Sequence, residues 1–117
     1  MTTIVLNHPP YDGSDVTWNA LRLASTLFQN GEKVNLFLMN DAVDLARETT
    51  TMPEGYDHDL ASMVKKLYEE GISLQACGSC NARCGLHKNQ PYFDESVSST
   101  MQILADWILA SDKVLTF

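Results

Sequence analysis

A three-layer α/β sandwich on a mainly parallel sheet of four to five strands is the architecture this sequence predicts. Three observations carry the prediction. Short β-branched or apolar runs alternate with segments whose apolar residues recur every three or four positions, an order that yields parallel pairs joined by right-handed helical crossovers. One run, Val34 to Met39, is apolar almost throughout, as expected for a strand covered on both faces. The 117 residues suit a single domain, 1–117, and no repeat or low-complexity tract divides them.

Thr3 to Leu6 forms the first strand, and His8-Pro9-Pro10-Tyr11-Asp12-Gly13-Ser14 is the turn-rich loop that leaves it. Val16, Ala20, Leu23, Ala24, Leu27 and Phe28 then place a helix over about residues 14–30, ended by Asn30-Gly31 where a left-handed cap is expected. Asp12 and Ser14 are its natural cap formers. After the second strand, Val34 to Met39, Asn40 to Arg47 reads as a short helix and Glu48 to Tyr56 as an exposed loop. Leu60, Met63, Val64, Leu67 and Tyr68 fit a second long helix that Gly71 stops. Ile72 to Ala76 is the third strand and runs directly into a group of cysteines. Val97, Met101, Leu104, Ala105, Ile108 and Leu109 mark the last helix, and Val114 to Phe117 the closing strand. The whole is flavodoxin-like or Rossmann-like. In such sheets reactive groups gather beyond the carboxyl ends of the strands, which points to loops 7–14, 40–41 and 77–88.

Composition excludes several classes. Eight Lys plus Arg against fifteen Asp plus Glu leave a net charge of −7, the wrong sign for nucleic-acid backbones or anionic lipid. No apolar run approaches the roughly 20 residues that span a bilayer. Met1 to Asn7 has no basic start followed by a long apolar stretch, so the chain reads as cytoplasmic. The first loop holds only Gly13, with neither a dinucleotide fingerprint nor a P-loop lysine. No cofactor is expected. Trp18, Trp107 and Tyr68 sit in helical stretches, where core or subunit packing explains them.

The strongest chemical signal is Cys77-Gly78-Ser79-Cys80-Asn81-Ala82-Arg83-Cys84-Gly85-Leu86-His87-Lys88. From Gly71 to Phe93 there is not one Asp or Glu, while Arg83 and Lys88 add positive charge. Cations and backbone N–H groups favour thiolate over thiol. Cys77 and Cys80 are therefore candidate nucleophiles, with Arg83 and His87 as candidate thiolate stabilisers. Several chemistries fit. Free cysteines also serve as small buried hydrophobes, and Cys84 alone suits that role. Cys77-x-x-Cys80 is a dithiol spacing, although no Trp stands beside it. Cys77, Cys80, Cys84 and His87 supply enough ligands for tetrahedral zinc, and three thiolates suit an iron–sulfur cluster. The fourth chemistry is sulfur transfer through a cysteine persulfide. Lesser candidates are His8, beyond the first strand, and Asn40 and Asp41, beyond the second; each also suits an ordinary loop role.

Five blocks extend the reading: Pro10-Tyr11 through Leu21-Arg22-Leu23-Ala24, Phe37-Leu38-Met39-Asn40-Asp41-Ala42-Val43, Glu54-Gly55-Tyr56, Cys77-x-x-Cys80, and Ser111-Asp112-Lys113-Val114-Leu115-Thr116-Phe117. In these the chain resembles the DsrE-like family of small sulfur-relay proteins, most closely its YchN-like branch. The resemblance implies a flavodoxin-like fold, homo-oligomers of three or six chains, and sulfur donor and acceptor proteins as partners. It also implies an acceptor cysteine after the third strand that becomes persulfidated, which falls on Cys77. Cys80 matches the second cysteine of the YchN-like pattern, and Cys84 has no counterpart.

Overall fold

Residues 1–117 are described by a computed structural model. In chain order the regular elements are β1 (Thr2–Leu6), α1 (Val16–Gln29), β2 (Val34–Leu38), a 3₁₀ segment (Asn40–Ala46), α2 (Leu60–Glu70), β3 (Ser73–Cys77), a 3₁₀ turn (Glu95–Val97), β4 (Ser98–Ser99), α3 (Met101–Ala110) and β5 (Lys113–Thr116). The five strands form one parallel sheet in the order β4-β3-β2-β1-β5, which bears out the predicted α/β class.

Every residue of β1 and β2 is buried, because these strands lie at the centre of the sheet and are covered on both sides. The register sets Ile4 beside Leu36 and Val5 beside Phe37, and alternation sends the two pairs to opposite faces. Successive right-handed crossovers in one direction place α1 and α2 on one face, and the return from β4 to β5 carries α3 to the other. Phe37 meets Trp107 of α3 edge-on at 5.8 Å between ring centres. The Thr3 and Ser111 hydroxyls lie 2.7 Å apart on the same side.

Local signals set the boundaries. Gly71, with φ of 113°, closes α2, and the Asp59 carboxylate accepts from the Ser62 N–H at its start. Thr100 caps α3 by accepting from the Ile103 N–H. At α1 the expected cap is displaced. Asp12 accepts from the Ser14 N–H and hydroxyl and so folds the preceding turn, while Asp15 holds the cap position without a side-chain bond.

The expectations for the last helix and for the loop at 48–56 change. The last helix begins at Met101, because Val97 is buried in the 3₁₀ turn and Ser98–Ser99 is a fifth strand beside β3. Two serines in extended conformation carry no apolar period that sequence reading could detect. Of the apolar stripe on α3 only Leu104 is buried; Met101 and Leu109 are 61% and 84% exposed. The short helix expected at 40–47 is present, as a 3₁₀ segment over Asn40–Ala46. Within the expected loop 48–56, Thr50 is buried, since its hydroxyl donates to the Asp44 carbonyl at 2.6 Å. No helix is long and apolar enough to cross a membrane.

Candidate functional site

β3 delivers Cys77 to the carboxyl edge of the sheet, opposite Ser99 of β4. The chain turns immediately, and the Gly78 N–H donates to the Ser99 carbonyl at 2.9 Å. A side chain at 78 would put its Cβ only 2.9 Å from that same carbonyl oxygen, so glycine is required there. The turn folds residues 79–84 back over the strand end and gathers three free thiols. Cys77 and Cys80 are buried and Cys84 is half-buried.

The thiols are not equivalent. Burial opposes ionisation of Cys77, but the Ser79 hydroxyl, the Cys80 thiol and the backbone N–H groups of Cys80 and Ser79 outweigh it and hold this thiol below its ordinary value. The Ser79 oxygen lies 3.2 Å from the Cys77 sulfur. Cys80 moves the other way. Burial first, then donation to Cys77, push it up to about 12, with a bond to Cys84 acting in the same sense. One sulfur is therefore the acceptor of the group and its neighbour the donor.

A buried guanidinium holds this loop from beneath. Arg47 pairs with the buried Asp44 at 3.3 Å, donates to the carbonyls of Gln90, Asn81 and Cys84 at 2.7, 2.9 and 3.1 Å, and bonds the Asn81 side chain. Asp44 in turn accepts from the Leu86 N–H at 2.8 Å, and Asp41 from the Gly85 N–H at 2.9 Å. Gly85 has φ of 84°, and a Cβ on it would fall 2.3 Å from an Asp44 oxygen. Tyr92 completes the support by donating to the Cys77 carbonyl at 2.7 Å, with Arg47 over its ring at 5.1 Å.

Arg83 and His87 stand elsewhere. Both are exposed, and neither is among the groups that lower Cys77; the acceptor sulfur is held by loop hydrogen bonds, not by the cations the sequence suggested. Arg83 instead lines a cleft of about 530 Å³ with Tyr11, Asp12, Asp41, Leu86 and Lys88. His87 faces a smaller hollow beside Thr50 and Pro53. Neither cleft includes Cys77. No group of three or more His, Cys, Asp or Glu side chains is arranged to hold a metal ion, so the Cys77, Cys80, Cys84 and His87 set has no support as a metal centre. His8 is exposed. Asn40, in a left-handed conformation with φ of 50°, bonds Asn7 through its side chain and offers its N–H to Cys80.

Sequence reasoning missed Asp44, Arg47, Tyr92 and Ser99. For the first two a signal existed. Two opposite charges three residues apart interrupt the otherwise apolar run Ala42-Val43-Asp44-Leu45-Ala46-Arg47, which is how a buried pair appears in a sequence. Tyr92 and Ser99 gave none.

Comparison with known proteins agrees with the fold. The DsrE/DsrF-like family matches residues 2–117. Protein YchN of Escherichia coli K12 is 35% identical over 116 residues, covering 97% of this chain and 96% of its own. An uncharacterised protein of Methanopyrus kandleri is 33% identical over 116 residues, covering 98% and 92%. The crystal structure of the Escherichia coli YchN protein superposes with a TM-score of 0.81 at 34% identity, over 99% of this chain and 97% of that one. With the whole length matched by profile, sequence and structure alike, the chain belongs to the DsrE/DsrF-like family.

Proposed function

We propose that the protein is a cytoplasmic sulfur carrier that holds sulfane sulfur as a persulfide on Cys77. Family membership points to a sulfur-relay role. The observation that carries the residue assignment is the division of labour between Cys77 and Cys80: one thiol is held toward thiolate by four donors, and the other is kept protonated as one of them. A thiolate is the form that attacks sulfane sulfur.

The transfer balances without an external oxidant. The Cys77 thiolate attacks the outer sulfur of a donor persulfide; a new sulfur–sulfur bond forms, the donor's bond breaks, and the donor leaves as a thiolate. Release is the same exchange with an acceptor thiolate: Cys77 departs as a thiolate, and the Cys80 thiol keeps its proton and assists by donating a hydrogen bond to that sulfur. The protein also assembles with further copies of itself as a trimer or hexamer, with the exposed apolar residues of α3 as the surface they cover.

Incubation of the anaerobically purified protein with glutathione persulfide, followed by intact mass, tests the assignment. A one-sulfur increase is expected for the wild type and for Cys84→Ser, and none for Cys77→Ser. Retention of the adduct in Cys77→Ser overturns the assignment. A Cys77–Cys80 disulfide in place of the adduct would favour a thiol–disulfide module, and stoichiometric zinc or iron would favour a metal centre.

A further inference from the structure

One buried polar atom stands apart from the rest. The Ser99 hydroxyl is the only buried side-chain nitrogen or oxygen without a hydrogen-bond partner, and Ser99 is 8% exposed. Buried hydroxyls are ordinarily paired, because leaving one unpaired forfeits its hydration without return. This one lies directly across the ladder from Cys77. Residues paired in register project from the same face of a sheet, so the unpaired hydroxyl and the acceptor sulfur are neighbours. The four donors at that sulfur, the hydroxyl and amide of Ser79 and the thiol and amide of Cys80, all come from the turn that follows it. Ser99 belongs to a different strand.

We propose that Ser99 is the hydrogen-bond donor to the outer sulfur of the Cys77 persulfide. This deepens the sulfur-carrier reading and rests on it. Neighbouring strands stand about 4.8 Å apart, and a sulfur–sulfur bond adds about 2.0 Å to the reach of the side chain. The remainder of about 3 Å is hydrogen-bonding distance. The outer sulfur of an ionised persulfide is an anion with no other donor assigned to it, and the hydroxyl is a donor with no other acceptor. Ser99 gives up no proton in the exchange. It holds the outer sulfur while the donor's bond breaks, and it slows loss of that sulfur to stray thiols by keeping the charge solvated inside the protein. The unpaired hydroxyl of the sulfur-free form then has a reason: its partner arrives with the cargo.

Ser99→Ala, Ser99→Thr and Ser98→Ala are compared with the wild type by three measurements: intact mass during decay of the glutathione-persulfide adduct in the presence of free cysteine, iodoacetamide alkylation of Cys77, and thermal unfolding. Ser99→Ala is expected to lose its sulfur about tenfold faster, the value of one hydrogen bond to an anion, with the alkylation rate unchanged and Tm unchanged or higher. Ser99→Thr restores the lifetime, and Ser98→Ala, on the exposed neighbour, matches the wild type. Equal adduct lifetimes in Ser99→Ala and wild type overturn the proposal. So does a parallel fall in alkylation rate or Tm, which assigns Ser99 a structural role. Failure of the wild type itself to take up sulfur refutes the carrier reading instead, and is thereby distinguished.

Discussion

The guanidinium of Arg47, fully buried, donates to the backbone carbonyl of Cys84 at 3.1 Å. A side chain from the segment after β2 thus fixes a loop that begins at the end of β3, and the same group also reaches the carbonyls of Asn81 and Gln90. A planar fork with five N–H groups can serve several carbonyls at once while pairing with Asp44; an ammonium cannot.

Arg47→Met is therefore expected to destabilise the fold by about 3–5 kcal/mol, because it strands the Asp44 carboxylate and three carbonyls away from water. Arg47→Lys keeps the charge and loses the fork, so it should recover only part of that loss. Urea unfolding of both, with Asp44→Asn and the double variant Arg47→Met/Asp44→Asn completing a cycle, measures the coupling. Equal midpoints for Arg47→Met and wild type would mean that the loop stands without its support.

Opposed shifts in neighbouring thiols produce an asymmetric pH profile. Cys77 is held below its ordinary value of 9.0, so its ionisation adds stability that is full above 9 and lost as pH falls through the folded value. Cys80 is pushed by burial to about 12, so its contribution is full below 9 and lost as pH rises toward 12. Tyr92, also raised by burial from 10.0 to about 12, adds to the loss in that upper range. The urea midpoint should decline between pH 9 and 12, and less steeply in Cys80→Ala. In the wild type, iodoacetamide should alkylate Cys77 with a midpoint below 9. Alkylation of Cys80 ahead of Cys77 would reverse the assignment of donor and acceptor.

Periodicity exposed the elements whose burial is periodic. The runs at Thr3–Leu6 and Val34–Met39 announced β1 and β2 because both faces are covered, and Gly71 announced the end of α2 through the backbone conformation it alone adopts easily. β4 escaped because two serines have no apolar signature; its strand character comes from pairing with β3. The cysteine loop was legible as a candidate site from its clustering and its lack of acids. The source of its electrostatics was not. The nearest cations in sequence, Arg83 and Lys88, point to a cleft with Asp12 and Asp41, while the donors at Cys77 are hydroxyl, thiol and amide groups whose aim is set by the turn. Arg47, thirty residues earlier, became part of the loop only through tertiary contact.

Two glycines with nearly equal backbone angles separate strain from collision. Gly31 has φ of 89° with nothing within 4 Å of where a Cβ would lie, whereas a Cβ on Gly85, with φ of 84°, would meet the Asp44 carboxylate. Gly31→Ala is expected to cost only about 1 kcal/mol, the left-handed penalty. Gly85→Ala adds displacement of a buried carboxylate that bonds Leu86 and Arg47, for a total of about 3 kcal/mol or more. Urea unfolding of the two variants isolates the collision as their difference, and equal losses would show that Asp44 moves aside freely.

The apolar stripe of α3 faces outward, and it does so beside an edge strand. Leu109 is 84% exposed, Met101 61% and Val114 of β5 40%, on a helix that buries only Leu104. Covering one such side chain with a second copy contributes about 1.5–3 kcal/mol, so a few of them suffice for association. A charge placed there must then be desolvated in the oligomer and costs little in the single chain. Leu109→Arg is expected to sediment as a monomer with Tm within a few degrees of the single folded chain, whereas Leu104→Ala should lower stability by about 2–4 kcal/mol through the cavity it opens. Sedimentation of the wild type as one chain of 13.0 kDa at micromolar concentration would leave the exposed face without the partner assigned to it.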